Sequence, residues 1–397
     1  MSKRLGILGG GQLARMLAQA ALRRGIEVHV LAKARRAPAA IEGVEIVVGG
    51  FDDAHALDAL FARCDVVTLE NEFLDLPCLE RVLKRHPDVP LRPAPSGIAT
   101  AQDKLEQKRV FARLGLPTAE HETLRAETCT EDLKRLHARF PEGFVLKQSR
   151  FGYDGKGNLV VDGPDDPAWA RAGAFCAKGE AVGATIYAER KIDFEAEVAM
   201  VLTRTPAGEH RHFPLVVSRQ ERGVCREVLG PATELGIDPK LEADTVEMLR
   251  ALGDELELTG SYALELFLTR DGKLLVNEMA PRVHNTGHYS LFGDEPSQFD
   301  LHVEAVMGLP LSAPAPRGLV AMRNLLGPWD LKEPRACPAP SEPPPEGTLL
   351  VWYDKGKVSR GRKMGHLTAR AESRQALDQV LAAMEAWETR FWGRVGA

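Results

Sequence analysis

The sequence has few of the features that mark secreted, membrane or nucleic-acid-binding proteins. Its six cysteines are scattered, with no Cys-x-x-Cys pair and no histidine spacing typical of a zinc site. No apolar run approaches the roughly 20 residues that a membrane-spanning helix needs. The 51 Lys and Arg against 56 Asp and Glu give a net charge of -5, which argues against a nucleic-acid-binding surface. We therefore expect a cytoplasmic protein with reduced cysteines and with no nucleic-acid or membrane partner.

The sequence does contain a pattern of three regions, in a chain of 397 residues that is too long for one hydrophobic core. Residues 1–97 alternate short apolar strands with amphipathic helices, which predicts a doubly wound parallel sheet. Residues 98–183 predict a small α+β domain. Residues 184–397 predict a mixed, largely antiparallel sheet, with a proline-rich linker at 327–346 and a basic turn at 355–363. The predicted fold class is therefore α/β followed by α+β.

The most informative segment is a predicted hairpin that brings two carboxylates together. Asp271 and Gly272 join two apolar runs, and such a dipeptide is the strongest short-range signal for a tight turn. A two-residue turn there places Glu265 opposite Glu278, where like charges repel unless a cation or a proton lies between them. A solvated pair at a sheet edge is the alternative. We favour a Mg²⁺ site because three polar residues follow the second strand at once: Arg282, His284 and Asn285.

A first glycine-rich turn, residues 9–11, lies between the first predicted strand and a helix. Backbone amides at a helix start attract phosphate, so a dinucleotide site is one interpretation. The spacing departs from Gly-x-Gly-x-x-Gly, and the second strand ends on Lys33, where enzymes that bind a nicotinamide dinucleotide place an acidic residue. Another phosphorylated ligand, or plain packing of strand against helix, remains open.

A second glycine-rich loop, residues 151–157, follows a strand that ends on Lys147. Its three glycines allow backbone N–H groups to surround phosphate oxygens, and Lys147 and Lys156 add positive charge. The loop lacks the Gly-Lys-Ser/Thr of a Walker loop, and an ordinary hairpin turn is the alternative. Farther along, the basic turn concentrates five cations in nine residues, which in an acidic protein makes a phosphate or carboxylate ligand plausible.

A glycine-rich phosphate loop, an adjacent strand lysine and an opposed glutamate pair together resemble the ATP-grasp superfamily, in which two α+β lobes close on ATP and two magnesium ions. Segments 9–16, 152–157, 280–288 and 352–367 resemble, more closely, the N5-carboxyaminoimidazole ribonucleotide synthetase family of purine biosynthesis. These segments span nearly the whole chain. The resemblance implies an ATP-grasp fold with an N-terminal Rossmann-like domain, a small lid domain over ATP and a C-terminal mixed-sheet domain.

The resemblance also implies a reaction and its participants. The reaction is ATP-dependent carboxylation of the exocyclic amine of 5-aminoimidazole ribonucleotide by bicarbonate, with carboxyphosphate as the activated intermediate. The implied cofactors are ATP and Mg²⁺, the latter as two ions for which Mn²⁺ is a candidate substitute. The implied partners are these small molecules and a second copy of the chain in a homodimer.

The family's functional residues carry over to the matching positions of this sequence. Glu265 and Glu278 become metal ligands. Arg282, His284 and Asn285 become catalytic residues at bicarbonate or carboxyphosphate, because a guanidinium and an amide fit a planar carboxylate. The expected ribonucleotide contacts are Gln12, Glu72, Lys355, Arg362 and Lys363. The expected ATP contacts are Lys104, Lys147, Phe151, Gly152, Tyr153, Asp154, Gly155, Lys156, Gly157, Glu189, Arg190, Lys191, Ile192, Glu197, Asn277 and Glu278.

Several positions depart from the family pattern, and two other functions compete. Ser218 and Gln220 stand where Asn and His are usual, and Lys104 stands where Arg is frequent. The nearest rival is the formate-using glycinamide ribonucleotide transformylase, which has the same fold but typically an Asp at the position of Asn285. A nicotinamide-dependent oxidoreductase is disfavoured by Lys33. A non-catalytic nucleotide-binding regulator is disfavoured because both paired glutamates are retained.

Overall fold

The computed structural model describes residues 3–125, 128–150, 152, 157–293, 295–315 and 317–396. Its N-terminal sheet is parallel, with strand order β3-β2-β1-β4, and the predicted doubly wound sheet is confirmed. Two separate apolar cores cover its two faces, which explains the continuous apolar strands. The elements are β1 Arg4–Leu8, α1 Gln12–Leu22, β2 Glu27–Ala32, β3 Val44–Val48, α2 Ala54–Phe61, β4 Val66–Leu69 and α3 Leu76–Leu83.

A helical segment connects this sheet to the rest of the chain. The sequence predicts one helix over residues 98–114, but the structure has two, α4 Pro95–Gln102 and α5 Lys104–Arg113. Asp103 separates them because its backbone is extended (φ -127°, ψ 110°). Its carboxylate accepts hydrogen bonds from two backbone N–H groups of α5 and so caps that helix.

A second, four-stranded antiparallel sheet forms the small domain, with strand order β5-β8-β6-β7. Two helices pack on it around one apolar core. The elements are β5 His121–Leu124, α6 Cys129–Arg139, β6 Phe144–Gln148, β7 Asn158–Val161, α7 Pro167–Ala181 and β8 Ile186–Arg190. The predicted boundary at residue 183 leaves β8 outside this domain, whereas in the structure β8 pairs with β5 and β6 and contributes Ile186 and Ala188 to the core.

The third and largest sheet is antiparallel, with strand order β14-β13-β9-β11-β12-β15-β19-β17 and β10 paired to β9. The C-terminal strands join it through the β12–β15 pair, so they extend the same sheet. The strands are β9 Phe194–Arg204, β10 His210–His212, β11 Val216–Glu221, β12 Val224–Gly230, β13 Gly260–Thr269, β14 Leu274–Ala280, β15 Leu319–Leu326, β17 Thr348–Trp352 and β19 Lys363–Ala371. The helices are α8 Pro239–Glu255, α9 Gln298–Val306 and α10 Arg374–Gly396. The proline-rich linker contributes β16 Arg335–Ala336, which pairs with β18 Lys357–Val358 of the basic turn.

Helix α9 joins the first domain to the large sheet. Its residue His302 is fully buried and accepts a hydrogen bond at Nδ1 from the Ser261 N–H of β13, at 2.9 Å. The Nε2 atom of the same ring therefore carries the proton and donates to Thr68 Oγ1 of β4, at 2.8 Å. One neutral imidazole thus connects strands of two domains.

In the described part of the chain, no helix is both long enough and apolar enough to cross a membrane. Four cysteines are free thiols, namely Cys64, Cys78, Cys225 and Cys337. The expectation that all cysteines are reduced is wrong for Cys176, which is disulfide-bonded. Spacing along the sequence does not reveal which sulfur atoms meet in space.

Candidate active site

The predicted pairing of Glu265 with Glu278 is confirmed, but the turn that produces it differs from the prediction. Thr269, not Arg270, pairs with Lys273, so the loop has three residues and ends on Gly272 with φ +78°. The extra residue in the loop is compensated by a β-bulge at Asn277, after which Glu265 lies opposite Glu278. Because of the bulge, the consecutive residues Asn277 and Glu278 both line the same cavity.

That cavity, of about 760 Å³, lies where the three sheets meet. Most of the predicted site residues in the described part of the chain line it. The lining residues of the first domain are Gln12 and Glu72. Those of the small domain and its helix are Lys104, Lys147, Gly152, Glu189, Arg190, Lys191 and Ile192. Those of the large sheet and the segments beside it are Glu197, Glu265, Asn277, Glu278, Arg282, His284, Asn285 and Lys363. A cavity of this size can enclose a nucleotide.

The two opposed glutamates have different charge partners. The Lys104 ammonium binds Glu278 Oε2, while His284 Nε2 lies 3.3 Å from Glu265 Oε1. Burial and the neighbouring Glu278 raise the pKa of Glu265 to about 8. Burial also acts against the charged form of Glu278, but Lys104 outweighs it and holds the pKa of Glu278 below its usual value. One carboxyl group of the pair thus keeps its proton while the other is charged. A divalent cation can take the place of that proton and bind both carboxylates.

Glu189 is buried between two lysines. Its Oε2 lies 2.5 Å from Lys147 Nζ, and its Oε1 lies 2.8 Å from Lys108 Nζ. Burial opposes the carboxylate charge, but the two ammonium groups lower the pKa of Glu189 to about 2. Lys147 also donates to Asn277 Oδ1 at 3.2 Å, so these residues form one network. Sequence reasoning missed Lys108, although it lies four residues after Lys104 and hence on the same face of α5.

The first glycine-rich turn surrounds a carboxylate of the chain itself. Glu70, at the end of β4, accepts hydrogen bonds from the backbone N–H groups of Gly11 at 2.6 Å and Ala14 at 3.2 Å. A Cβ atom on Gly9 or Gly11 would lie within 2.7 Å of this carboxylate, which explains the need for glycine. The amides that a dinucleotide phosphate would need are therefore occupied, and the nicotinamide alternative loses its binding site.

Arg282 and Glu72 form an ion pair with two hydrogen bonds. Arg282 Nε donates to one carboxylate oxygen at 2.6 Å, and Nη2 donates to the other at 3.2 Å. This pair joins the predicted catalytic segment to the first domain. In the same segment, His284 accepts at Nδ1 from the Thr286 N–H, which leaves its Nε2–H facing Glu265.

Gln298, at the start of α9, holds the main chain of His284 from both sides. Its Oε1 accepts from His284 N–H at 2.8 Å, and its Nε2 donates to the carbonyl oxygen of His284 at 2.7 Å. Sequence reasoning missed this fully buried amide because its partners lie fourteen residues earlier in the chain.

The basic turn brings only one of its three predicted phosphate-binding cations to the cavity wall. Lys363 lines the cavity, whereas Lys355 Nζ donates to the Lys363 carbonyl at 2.6 Å and lies 5.2 Å from the Tyr353 ring centroid. Arg362 Nη1 donates to the carbonyl of Lys357 at 2.6 Å. The turn faces the first domain, because its neighbour Asp354 accepts from Arg15 of α1.

Part of the predicted ATP loop lies outside the described residues: Phe151, Tyr153, Asp154, Gly155 and Lys156. Its two outer glycines are described. Gly157 has φ +82°, and its carbonyl accepts from Gln148 N–H at 2.9 Å. A Cβ on Gly157 would lie 3.0 Å from the Gly152 Cα, so the ends of the loop approach closely only because glycine stands there.

Three family models match the chain in succession. The model of the ribonucleotide synthetase preATP-grasp domain matches residues 1–102, that of the ATP-grasp domain matches 109–299, and that of the phosphoribosylaminoimidazole carboxylase C-terminal domain matches 320–380. The ATP-grasp fold and its flanking domains, predicted from the motifs, are confirmed.

Curated relatives and solved structures agree with these models. The N5-carboxyaminoimidazole ribonucleotide synthase of Synechococcus elongatus is 38% identical over 393 residues, 96% of this chain and 94% of the relative. The structure of the Thermus thermophilus synthetase has 35% identity and a TM-score of 0.81, covering 96% of this chain and 98% of that chain. The Aspergillus clavatus synthase, in complex with ADP and 5-aminoimidazole ribonucleotide, has 30% identity and a TM-score of 0.81, covering 97% and 99%.

The similarity extends over all three sheets and over the cavity between them. Each of the segments that predicted the family lies within one of the three matches to family models: residues 9–16 in the first, 152–157 and 280–288 in the second, and 352–367 in the third. The chain belongs to the N5-carboxyaminoimidazole ribonucleotide synthase family of ATP-grasp ligases.

Proposed function

We propose that the chain carboxylates the exocyclic amine of 5-aminoimidazole ribonucleotide with bicarbonate, at the expense of ATP, in de novo purine biosynthesis. The products are N5-carboxyaminoimidazole ribonucleotide, ADP and phosphate. The observation that carries the proposal is the opposed pair of Glu265 and Glu278 in one cavity with lysines on one side and Arg282, His284 and Asn285 on the other. This combination suits transfer of a phosphoryl group to a small anion.

The first step activates bicarbonate. A bicarbonate oxygen attacks the γ-phosphorus of ATP, the bond from that phosphorus to the β,γ-bridging oxygen breaks, and ADP leaves with the bonding electrons. The product, carboxyphosphate, carries a leaving group that bicarbonate lacks. Lys104 and Lys147 neutralise phosphate charge during the transfer. Lys147 is buried and Lys104 is partly buried in the cavity wall, where electrostatic stabilisation is stronger than in water.

The second step forms the new carbon–nitrogen bond. The amine nitrogen attacks the carboxyphosphate carbon, the carbon–oxygen bond to phosphate breaks, and the departing phosphate takes the bonding electrons and the amine proton. Arg282 and Asn285 present N–H groups that suit the planar carboxylate of this intermediate. His284 carries its proton on Nε2, so in this tautomer it acts as a donor and not as the base for the amine.

Glu265 and Glu278 are the proposed ligands of Mg²⁺, two ions for which Mn²⁺ is a candidate substitute. The fit rests on the donor set: two opposed carboxylates that, without a cation, need a proton between them. In the described part of the chain, no group of three or more Asp, Glu, His or Cys side chains is placed so that it could hold a metal ion. Magnesium commonly takes one or two carboxylates and completes its shell with substrate phosphates and water. When bound, it neutralises charge on the transferring phosphoryl group.

The remaining predicted contacts divide between the two nucleotides. Residues 189–192 and Glu197 lie at the ATP end, where burial raises the pKa of Glu197 to about 7 and Phe194 stacks on Phe267 with ring centroids 4.8 Å apart. The loop at 151–157 is the proposed phosphate cover. Gln12 and Glu72 are assigned to the ribose or imidazole of the second substrate, and Lys355, Arg362 and Lys363 to its 5′-phosphate. A homodimer in the cytoplasm completes the proposal, supported by the family resemblance.

ADP release tests this proposal directly. The purified chain is assayed with ATP, Mg²⁺, bicarbonate and 5-aminoimidazole ribonucleotide, and again with each component omitted. We expect full turnover only with the complete mixture. The same assay with formate and glycinamide ribonucleotide in place of the two co-substrates tests the transformylase alternative. Turnover with formate, or ADP release that is independent of the aminoimidazole, would overturn the proposed reaction.

A further inference from the structure

We infer that Asn324 is a positioning residue that fixes the orientation of the Asn285 amide, so that Asn285 presents an N–H donor to the cavity. Asn324 lies on β15, a strand whose alternate residues Val320 and Met322 face the apolar core under α9. The third residue in this series, Asn324, is polar and completely buried. A buried amide at the end of an apolar row requires specific hydrogen-bonding partners.

The orientation of the Asn324 amide follows from a main-chain contact. Its Nδ2 atom lies 2.9 Å from the carbonyl oxygen of Cys225 on β12. A carbonyl oxygen can only accept, so the atom facing it must be the nitrogen of the amide. Hydrogen-bonding chemistry therefore fixes which end of this side chain is the nitrogen and which is the oxygen.

The same orientation is transmitted to Asn285. Asn324 Nδ2 donates its second hydrogen to Asn285 Oδ1 at 2.7 Å, and Asn285 Nδ2 donates to Asn324 Oδ1 at 3.1 Å. These two reciprocal bonds use the oxygen of Asn285 and one of its two amide hydrogens. The second hydrogen has no acceptor among the described residues, and Asn285 lines the cavity. Asn285 thus offers a donor to an anion.

The strand that carries Asn324 is held from the opposite face of the sheet. Arg226 Nη1 donates to the carbonyl of Asn324 at 3.0 Å and pairs with Glu388 of α10. Glu388 is buried and also accepts from Arg323 at 2.9 Å. The C-terminal helix therefore stabilises the position from which Asn324 reaches Asn285, which limits rotation of both amides.

The kinetic consequence of this inference rests on the proposed function, because the anion that Asn285 would bind is bicarbonate or carboxyphosphate. In Asn324→Asp, the carboxylate cannot donate to Cys225 or to Asn285, and two close oxygen–oxygen contacts replace hydrogen bonds. We expect the Asn285 amide to rotate and to turn its oxygen toward the cavity. The loss of one hydrogen bond to a charged group predicts a fall in kcat/KM for bicarbonate of roughly 10- to 150-fold. The KM for ATP should change less than about threefold, because the side-chain hydrogen bonds of Asn324 within the described residues go to Cys225 and Asn285, neither of which is a predicted ATP contact.

The kinetic experiment measures KM for bicarbonate, ATP and the aminoimidazole ribonucleotide in Asn324→Asp. The matched control is Thr203→Val, which removes a buried side-chain hydrogen bond to Ser261 in the same sheet, away from the cavity. A fall in kcat/KM for bicarbonate, with little change for ATP and the ribonucleotide, supports the positioning role. Equal losses in all three constants, or the same pattern in Thr203→Val, would show that Asn324 acts only through stability.

A measurement on the unmodified chain keeps the inference testable if the variant does not fold. Neutron diffraction of deuterium-exchanged crystals locates the amide deuterons directly. We expect Asn285 Nδ2 to carry one deuteron toward Asn324 and one toward the cavity. If Asn285 Oδ1 instead faces the cavity, the inference is wrong. This result does not depend on turnover, whereas an absence of bicarbonate-dependent ADP release in the unmodified chain would count against the proposed function alone.

Discussion

Lys108 contacts Glu189, a residue of the cavity wall, with its Nζ atom 2.8 Å from Glu189 Oε1. The pair is almost inaccessible to solvent, and Lys147 contacts the other oxygen of the same carboxylate. In the proposed ATP complex, in which Lys147 binds a phosphate, Glu189 would therefore keep Lys108 as a partner. We therefore expect Lys108 to let Lys147 bind the nucleotide without leaving the buried Glu189 carboxylate unpaired.

Replacement of Lys108 by Met should weaken ATP binding. Glu189 would then depend on Lys147 alone and retain it, so the phosphates would lose a cation. We expect a roughly tenfold rise in the KM for ATP, equivalent to about 1.4 kcal/mol, with a smaller change in the KM for the ribonucleotide. Steady-state kinetics measures both. Arg109→Met, which removes a neighbouring exposed cation of α5, is the control and should leave both constants unchanged. An unaltered KM for ATP in Lys108→Met would contradict this role.

Glu278→Gln should abolish turnover and leave the fold intact. The neutral amide lacks the negative charge with which a carboxylate binds Mg²⁺, and Lys104 loses its charged partner in the free protein. We expect kcat for ADP release to fall by at least about 100-fold, as the loss of several kcal/mol of charge stabilisation implies. Circular dichroism checks the fold, and Glu195→Gln on the exposed end of β9 is the matched control. Undiminished ADP production in Glu278→Gln would remove the metal assignment.

Lys355→Ala should raise the KM for the ribonucleotide more than the KM for ATP. In the structure Lys355 donates to the Lys363 carbonyl, so it holds the basic turn as well as supplying charge. We expect the KM for the ribonucleotide to rise roughly tenfold, because one contact with its phosphate is lost. Lys357→Ala, an exposed lysine of the same turn, serves as the control. Equal increases in the KM values for the ribonucleotide and for ATP would contradict the assignment of Lys355 to the 5′-phosphate.

His302 should make the protein less stable in acid. Burial lowers the pKa of His302 to about 3, whereas an unfolded histidine titrates near 6.5. Between these values the unfolded state binds the extra proton, so the free energy of unfolding decreases as pH falls from about 6.5 toward 3. Full protonation of one such group contributes a slope of about 1.4 kcal/mol per pH unit.

His302→Gln should flatten that slope, because glutamine can accept from Ser261 and donate to Thr68 without titrating. Denaturant unfolding at several pH values between 4 and 7 measures the difference from the unmodified chain. His55→Gln, which removes an exposed histidine of α2, should leave the slope as it was. If His302→Gln has the same pH dependence as the unmodified chain, His302 is not a source of acid sensitivity.

Local patterns in the sequence predicted much of the fold and the centre of the site. Alternation of strands and helices predicted the parallel sheet, and the Asp-Gly turn signal predicted that Glu265 and Glu278 face each other. The pairing is correct even though the turn has one residue more than predicted, because the bulge at Asn277 adds one residue to the opposite strand. Pattern reasoning detects the apolar runs that pair, but it does not resolve single-residue irregularities within them.

Contacts between residues that are far apart in the chain could not be predicted and depend on how the domains pack. The glycine turn at 9–11 binds Glu70, Lys108 pairs with Glu189, and Asn285 pairs with Asn324. Each contact joins residues 39 or more positions apart, where no periodicity links one partner to the other. The residue types and the local elements that present them could be predicted from the sequence alone. The packing of three sheets around one cavity determined their partners, since buried polar groups must pair with whatever the fold brings within hydrogen-bonding distance.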